Sequence, residues 1–375
     1  KKVSDVMKKK IMILIYNLNI GGTEKALLNM LEIMDQNIYD VDVCLLEKKG
    51  GFINELPEWV NLKIIDDYQY IASWIMDAPW LVVKKLIFNY KFITAFKLMI
   101  THLIMKLTGD RTKYYNVVLN SMKNIERQYD VAIAYAGPFD FITSYVLKKV
   151  VAKEKIQWIH FDVSKINFSV KFAKANYKLF NKIVVVSKYA ANKLLEKVPG
   201  IEDKIEIIPN FLPEKQCMEK SLEFDPYKKV KSKKIILTVG RLTSEKGQVI
   251  IPEIVRLLVD KGINNFIWYI VGEGGQKKRI QDKILGYQLE GYIKLEGVQK
   301  NPYPYYKDAD LYVQTSLYEG YCITIAEAIL FNKYVISTDV AGAYDQIKND
   351  EVGKIVKYDI KELTNAIETY FKNSV

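Results

Sequence analysis

Apolar runs of three to eight residues, most of them rich in isoleucine and valine, alternate with segments of helical period along almost the whole 375-residue chain. Runs that are apolar throughout belong to strands buried on both faces, and parallel sheets covered by helices impose that burial. A first series lies at 11–18, 41–46, 62–65, 131–135, 156–159, 183–186 and 205–208. A second lies at 235–239, 266–271, 292–295, 311–314, 335–337 and 354–356, and ends in a helix over 360–371 that Asp359 can cap. Between them the rhythm breaks: Pro209, Pro213 and Pro226 accompany the lysine-rich stretch 228–234. The chain is also too long for one ordinary core. The expectation is an α/β chain of two Rossmann-like, doubly wound parallel-sheet domains facing across a cleft. The N-terminal domain takes 1–212, a linker 213–234 and the C-terminal domain 235–375.

Composition narrows the function classes. Apolar content of 49% and charged content of 26% fit a soluble globular protein. Three scattered cysteines, Cys44, Cys217 and Cys322, and only two histidines offer no zinc spacing, and reduced thiols point to a cytoplasmic setting. The run 11–18 is too short for a signal core, and no apolar stretch reaches the roughly 18 residues that a spanning helix needs. The net charge of +11 is concentrated: residues 84–113 hold seven bases and one acid. No nucleic-acid motif accompanies that charge, so nucleic acid is not an expected partner.

Polar residues with chemical potential fall where the strands end, the edge at which open α/β sheets bind ligands. Glu319 and Glu327, eight residues apart, flank a turn and helix start containing Gly320, Ile323 and Thr324. Backbone amides at such a start suit a phosphate, and two carboxylates beside them can accept hydrogen bonds from hydroxyls. That pairing of anion cradle and acids fits a nucleotide sugar. After the run 235–239 come Gly240, Arg241, Lys246 and Gly247; two cations five apart on a loop can clamp a diphosphate. Gly21 and Gly22 open the first helix and leave room for a close approach to the backbone. Neither they nor Gly272, Gly274 and Gly275 make the Gly-x-Gly-x-x-Gly fingerprint of dinucleotide enzymes. His160 ends a strand. Two Asp-x-Asp matches, Asp40/Asp42 and Asp308/Asp310, lie at strand starts and read as structural, because Arg241 and Lys246 already offer a metal-free counter-charge.

Together and in this order, these residues resemble the retaining nucleotide-sugar-dependent glycosyltransferases of the GT-B fold, of the bacterial mannosyl- and glucosyltransferase type (glycosyltransferase family 4). Ile208-Pro209-Asn210 and Val186-Ser187-Lys188 are lesser matches. The resemblance implies that Arg241 and Lys246 bind the donor diphosphate, and that Glu327 meets the ribose. It implies that Glu319 holds hydroxyls of the donor sugar while the backbone at Gly240, Gly320, Ile323 and Thr324 approaches the donor. His160 would lie near the point of attack, and Gly21 with Gly22 near the phosphates. No metal or other cofactor is implied beyond the nucleotide-diphosphate sugar as co-substrate, with a UDP-sugar favoured. Cys322 departs from the family, which often places glycine or proline there. A sugar-nucleotide epimerase and a catalytically silent subunit supporting a partner transferase are the competing readings. The scarcity of histidine weighs against the first, and retention of Arg241, Lys246, Glu319 and Glu327 against the second.

The region 74–108 mixes aromatic residues, from Trp74 onward, with lysines and has no acid from 78 to 109. Projected as one helix, Lys84, Lys91, His102 and Lys106 share a direction, with Lys85 at its edge. This predicts an interfacial helix or helix pair that meets an anionic membrane surface on the inner face of the plasma membrane. The expected acceptor is then a lipid-linked saccharide or glycolipid, and the pathway bacterial surface polysaccharide or capsule assembly.

Overall fold

A computed structural model describes residues 7–137, 139–228, 230 and 232–373. The opening residues 1–6, and Lys229 and Lys231 of the expected linker, lie outside the described residues. The chain divides into two compact units, Lys1–Pro209 and Asn210–Val375.

In the first unit the strands are β1 (Lys9–Ile15), β2 (Tyr39–Leu45), β3 (Asn61–Ile64), β4 (Tyr129–Gly137), β5 (Ala152–Ile159), β6 (Lys182–Val185) and β7 (Ile205–Ile207). They form one parallel sheet in the order β3-β2-β1-β4-β5-β6-β7. The second unit holds β8 (Lys234–Val239), β9 (Phe266–Val271), β10 (Ile293–Gly297), β11 (Leu311–Gln314), β12 (Tyr334–Thr338) and β13 (Gly353–Val356). Its parallel order is β10-β9-β8-β11-β12-β13. Each sheet therefore reverses its winding once, between β1 and β4 and between β8 and β11, and doubly wound sheets open a ligand crevice at that reversal.

Both faces of the second sheet are covered, as its apolar runs require. Ile235, Leu237 and Tyr312 pack into one core, while Ile236, Leu311 and Val313 pack into the other. Period-two side chains of a strand thus feed two cores. Asp359 caps the last helix, Ile360–Asn373, by accepting from the amides of Lys361 at 2.9 Å and Glu362 at 3.0 Å.

One expected boundary and one projection need correcting. The segment 213–234 contains a helix, Glu214–Lys220, and plants Cys217 and Tyr227 in the core of the second unit. The Tyr227 hydroxyl donates to the Tyr305 carbonyl at 2.8 Å. Residues from Asn210 onward therefore belong to that unit, anchored by two buried side chains that the surrounding prolines and lysines conceal. The basic region takes the paired form of its two expected forms, so the projection of its lysines along one helix does not hold. It forms helices Pro79–Phe88 and Phe92–Thr108, separated at Tyr90, whose backbone is left-handed with φ 58°. Lys84 and Lys85 thus sit on a different helix from His102 and Lys106. Lys85 pairs with Asp77 at 3.1 Å, and Lys91 donates to the Tyr70 hydroxyl at 2.6 Å. Trp74 is buried in the core of the first unit, on helix Asp67–Met76. No helix among the described residues is long and apolar enough to cross a membrane.

Candidate active site

The winding reversal of the second sheet brings the ends of β8 and β11 side by side. After β8 the chain runs through Gly240 and Arg241 to a short 3-10 turn, Ser244–Lys246, and then Gly247. After β11 come Thr315, Ser316 and the turn that leads into helix Ile323–Leu330. The two loops touch through backbone. Gly247 has φ +67°, and a Cβ there would stand 2.1 Å from the Thr315 carbonyl oxygen. Only glycine fits both demands. Thr315 Oγ1 donates to the Lys246 carbonyl at 2.9 Å, and the Leu317 amide to the Glu245 carbonyl at 2.8 Å. The lysine is thereby carried to the end of β11.

There Lys246 Nζ meets Glu319 Oε1 in an ion pair whose side chains are only 18% and 13% exposed. The same oxygen accepts from Ser316 Oγ at 2.8 Å and Gln314 Nε2 at 3.1 Å. Gln314 Oε1 in turn accepts from the hydroxyls of Tyr312 at 2.6 Å and Thr324 at 3.2 Å. One network of contacts therefore joins the strand (Tyr312, Gln314), the turn after it (Ser316, Glu319), the helix start (Thr324) and the neighbouring loop (Lys246). Such a network fixes the glutamate rotamer, and a charge held this way in a poorly solvated site acts more strongly than one in water.

The helix that follows begins at Ile323, preceded by Cys322 with φ 60° and ψ 67°. A left-handed non-glycine residue costs on the order of 1–2 kcal/mol, so the turn must be held from outside. Gln346 does this by donating through Nε2 to the Tyr321 carbonyl and, at 3.3 Å, to the Cys322 carbonyl. Gly342 helps, because a Cβ there would stand 2.2 Å from the Tyr321 carbonyl oxygen. Burial pushes the Cys322 thiol well above its ordinary pKa, with Glu319 adding to the effect. The first amides of this helix, at Ile323 and Thr324, point out of its N-terminus, as the first-turn amides of any helix do.

The remaining expected residues fall in three places. Glu327 is one turn into the helix and 3% exposed, and its Oε2 accepts from Tyr306 at 2.9 Å. Burial, and then Glu327, raise the Tyr306 phenol well above its usual pKa. Arg241 is not drawn into the network: its side chain is 55% exposed and lies 3.6 Å from Glu245. In the first unit, Gly21 caps helix Gly22–Ile33 with an ordinary extended φ of −159°. The place its Cβ would take is occupied by the Glu24 carboxylate, 2.4 Å away, whereas Gly22 faces open space. His160 follows β5 and is 5% exposed, and among the described residues neither ring nitrogen meets the geometry of a hydrogen bond. It stacks on Trp158 with ring centroids 6.0 Å apart and packs against Tyr135 at 4.4 Å. Burial lowers its pKa to about 3, with the nearby Tyr135 backbone acting the other way, so the ring is neutral at neutral pH. Ser187, in one of the lesser motif matches, is a helix cap that accepts from the Ala190 amide at 3.1 Å.

Three of the four Asp-x-Asp carboxylates, Asp40, Asp42 and Asp310, are held by groups of the fold itself. Asp42 accepts from Arg127 at 2.8 and 3.0 Å, from Tyr129 at 2.6 Å and from Lys63 at 2.5 Å, and Arg127 also holds Asp40. Asp310 accepts from the Ile235 amide at 2.8 Å and pairs with Lys234 at 3.1 Å. No group of three or more His, Cys, Asp or Glu side chains among the described residues could hold a metal ion.

Sequence reasoning missed Gln314, Tyr306 and Gln346. A glutamine ending an otherwise apolar strand is the only one of the three with a local signal. Tyr306 sits in an aromatic cluster that reads as core, and Gln346 acts on a turn more than twenty residues upstream.

Residues 219–374 match the family described as "Glycosyl transferases group 1". The chain is 31% identical over 170 residues to an uncharacterised glycosyltransferase of Methanocaldococcus jannaschii, across 44% of this chain and 42% of that one. The chain thus spans less than half the length of that relative. It is 25% identical over 362 residues to N-acetylgalactosamine-N,N'-diacetylbacillosaminyl-diphospho-undecaprenol 4-alpha-N-acetylgalactosaminyltransferase of Campylobacter jejuni, covering 94% of this chain and 87% of the other. Among solved structures it is similar to Anabaena HepE in complex with UDP and glucose, with a TM-score of 0.68 at 16% identity over 98% of this chain and 90% of that one. The two parallel sheets and this likeness make the fold GT-B.

Proposed function

We propose that the chain is a retaining, metal-independent glycosyltransferase that moves a sugar from a nucleotide-diphosphate donor, with a UDP-sugar favoured, to a lipid-linked saccharide or glycolipid. The observation that carries this reading is the Lys246–Glu319 pair at the winding reversal, set beside the start of helix Ile323–Leu330. A cation, an acid and a row of helix-start amides meet there within one network. That is the complement of a diphosphate bonded to a sugar.

The steps follow from that arrangement. The donor diphosphate rests on the amides of Ile323 and Thr324. Lys246 exchanges part of its contact with Glu319 for a phosphoryl oxygen, and Glu319 gains hydroxyls of the sugar as it gives up the lysine. Arg241, exposed and only loosely paired, swings in as the second counter-charge. As the sugar–phosphate bond lengthens, negative charge collects on the diphosphate, and fixed positive charge lowers that barrier. The departing phosphate takes the proton of the attacking hydroxyl on the same face, which retains the anomeric configuration. Glu327, held by Tyr306, orients toward the ribose. In the first unit His160, neutral and packed between Trp158 and Tyr135 after β5, is assigned to a sugar hydroxyl.

The similarity to the Campylobacter transferase and to a UDP-binding HepE supports a lipid-borne acceptor and a uridine nucleotide. The exposed lysines and aromatic residues of 79–108 support work at an anionic membrane surface on the cytoplasmic side, in surface polysaccharide assembly.

The experiment is a thermal-shift screen of UDP-, GDP- and free sugars, followed by donor hydrolysis without acceptor. A UDP-sugar is expected to raise the melting temperature by mass action and to release UDP slowly. Absence of both effects with every nucleotide sugar would leave a silent scaffold instead.

A further inference from the structure

Helices Pro79–Phe88 and Phe92–Thr108 bury Val82, Leu86, Ala95 and Leu98 in the first core, yet their other sides are also apolar. Trp80, Phe88, Phe92, Ile93, Phe96 and Leu107 are each more than half exposed. Scattered exposed hydrophobes are ordinary; this density on one helical pair marks a contact surface.

Two recesses give that surface detail. Trp80, Val83, Ile87 and Met99 line a solvent-open groove of about 400 Å³, with Lys84 and His102 as its polar members. Lys106, further along helix Phe92–Thr108, and Arg111, just beyond its end, line a second recess of about 330 Å³ with Asn167 and Ser169. His102 and Lys106 are one turn apart, about 6 Å along the axis, so the two recesses follow one another down a single helix. Neither lining includes an acid. Arg111 gives one Nη1 contact to Asp140 at 3.3 Å and is 38% exposed, which leaves donors of its fork for another anion.

We propose that this helical pair seats a single phosphate-bearing lipid, its hydrocarbon chain in the groove of Trp80, Val83, Ile87 and Met99 and its phosphate on Lys106 and Arg111. The inference rests on the lipid-borne acceptor proposed above and gives that acceptor a site. Apolar chain and anionic head are both required to satisfy the pair of recesses, and one long-chain lipid phosphate supplies them at the right order. A second copy of this chain is the wrong occupant, because residues 84–113 carry seven bases and one acid and two such faces repel. Withdrawing the hydrocarbon chain from water supplies the affinity, and a guanidinium–phosphate contact adds geometric selectivity.

The test is flotation of the whole chain with phosphatidylcholine vesicles at physiological salt. One set carries polyprenyl phosphate, the other phosphatidylglycerol at matched surface charge. Binding is expected to be at least tenfold tighter to the polyprenyl phosphate vesicles. Met99→Asp and Lys106→Glu, both at exposed positions, should each erase that preference with unchanged melting temperatures. Equal partition into both vesicle types would overturn the site and leave a merely charged surface. Displacement by millimolar inorganic pyrophosphate alone would assign the recess to a free anion. Loss of lipid preference on concentration-dependent dimerisation would assign the face to a second copy. Because flotation needs no sugar transfer, its failure is distinct from failure of the proposed reaction. A chain that turns over a nucleotide sugar without lipid preference sinks only this site, and one that binds the lipid without turnover sinks only the reaction.

Discussion

Two pairs of acids look alike in the sequence and do opposite things in the fold. Asp40 and Asp42 lie at the amino end of β2 and are tied by Arg127, Lys63 and Tyr129. Glu319 lies beyond the carboxyl end of β11, and its partners there, Ser316 and Gln314 beside it and Lys246 on a neighbouring loop, include a single charge. In a parallel sheet all amino ends share one edge, so charges there meet only other parts of the same fold, and the network closes on itself. At the carboxyl edge the loops diverge and the helix starts, and a charge pair there can be opened by an incoming anion. The edge of the sheet therefore separates acids locked into the fold from acids placed where a ligand could reach them.

The comparison can be broken most severely at the amino edge. Asp42→Ala leaves Arg127 and Lys63 without their buried partner and should cost about 3–5 kcal/mol of stability, read by denaturant unfolding. Activity per folded molecule should hardly change; a proportionate drop in kcat would place Asp42 in the reaction. Lys246→Ala should act on turnover instead. It should lower kcat about 10²-fold or more, measured per folded molecule, over and above the stability lost by leaving the Glu319 carboxylate without its lysine. A variant with normal kcat and a raised KM would restrict the lysine to ground-state binding.

A finer test uses acid at the carboxyl edge of the first sheet. His160 has a folded pKa of about 3 because burial disfavours its charged form, below the ordinary value of 6.5. Its contribution is full above pH 6.5 and is lost as pH falls toward 3. Asp140 is raised by burial from 3.8 to about 7, with Arg111 opposing, so its contribution grows as pH falls through 7. The two slopes offset between about pH 4 and 6.5. Asp140→Asn should uncover a loss of roughly 2 kcal/mol between pH 7 and 5, and His160→Phe a gain of similar size, measured as unfolding free energy against pH. Flat profiles in both variants would show that neither group is as buried as the fold places it. The smallest effect belongs to Arg241→Gln. The residue is half exposed and sits 3.6 Å from Glu245, so stability should move by less than about 1 kcal/mol. Donor turnover should fall, and unaltered turnover would remove Arg241 from the proposed clamp.

The strands were legible because each is an apolar run that two cores require, as Ile235 and Ile236 illustrate by feeding opposite faces. The Lys246–Glu319 meeting was legible in kind, since both residues follow strand ends, but their direct pairing was not. It depends on Gly247 pressing against Thr315, a contact between loops nearly seventy residues apart. The linker was misread because proline and lysine dominate its composition, whereas two side chains, Cys217 and Tyr227, decide where it packs. The break at Tyr90 had no glycine or proline to announce it. Tyr306 was silent for a similar reason: one hydroxyl in an aromatic cluster gives no sign that it will hold Glu327.

The left-handed Cys322 has one more consequence. Its thiol is 4% exposed, and burial keeps it protonated far above neutral pH, so alkylating reagents reach it only when the turn before the helix springs open. The other two cysteines are buried as well, each within a different core. Labelling at Cys322 is thus a clock built into the loop. Its ticking should slow whenever a molecule occupies the helix start, whether or not any bond is broken.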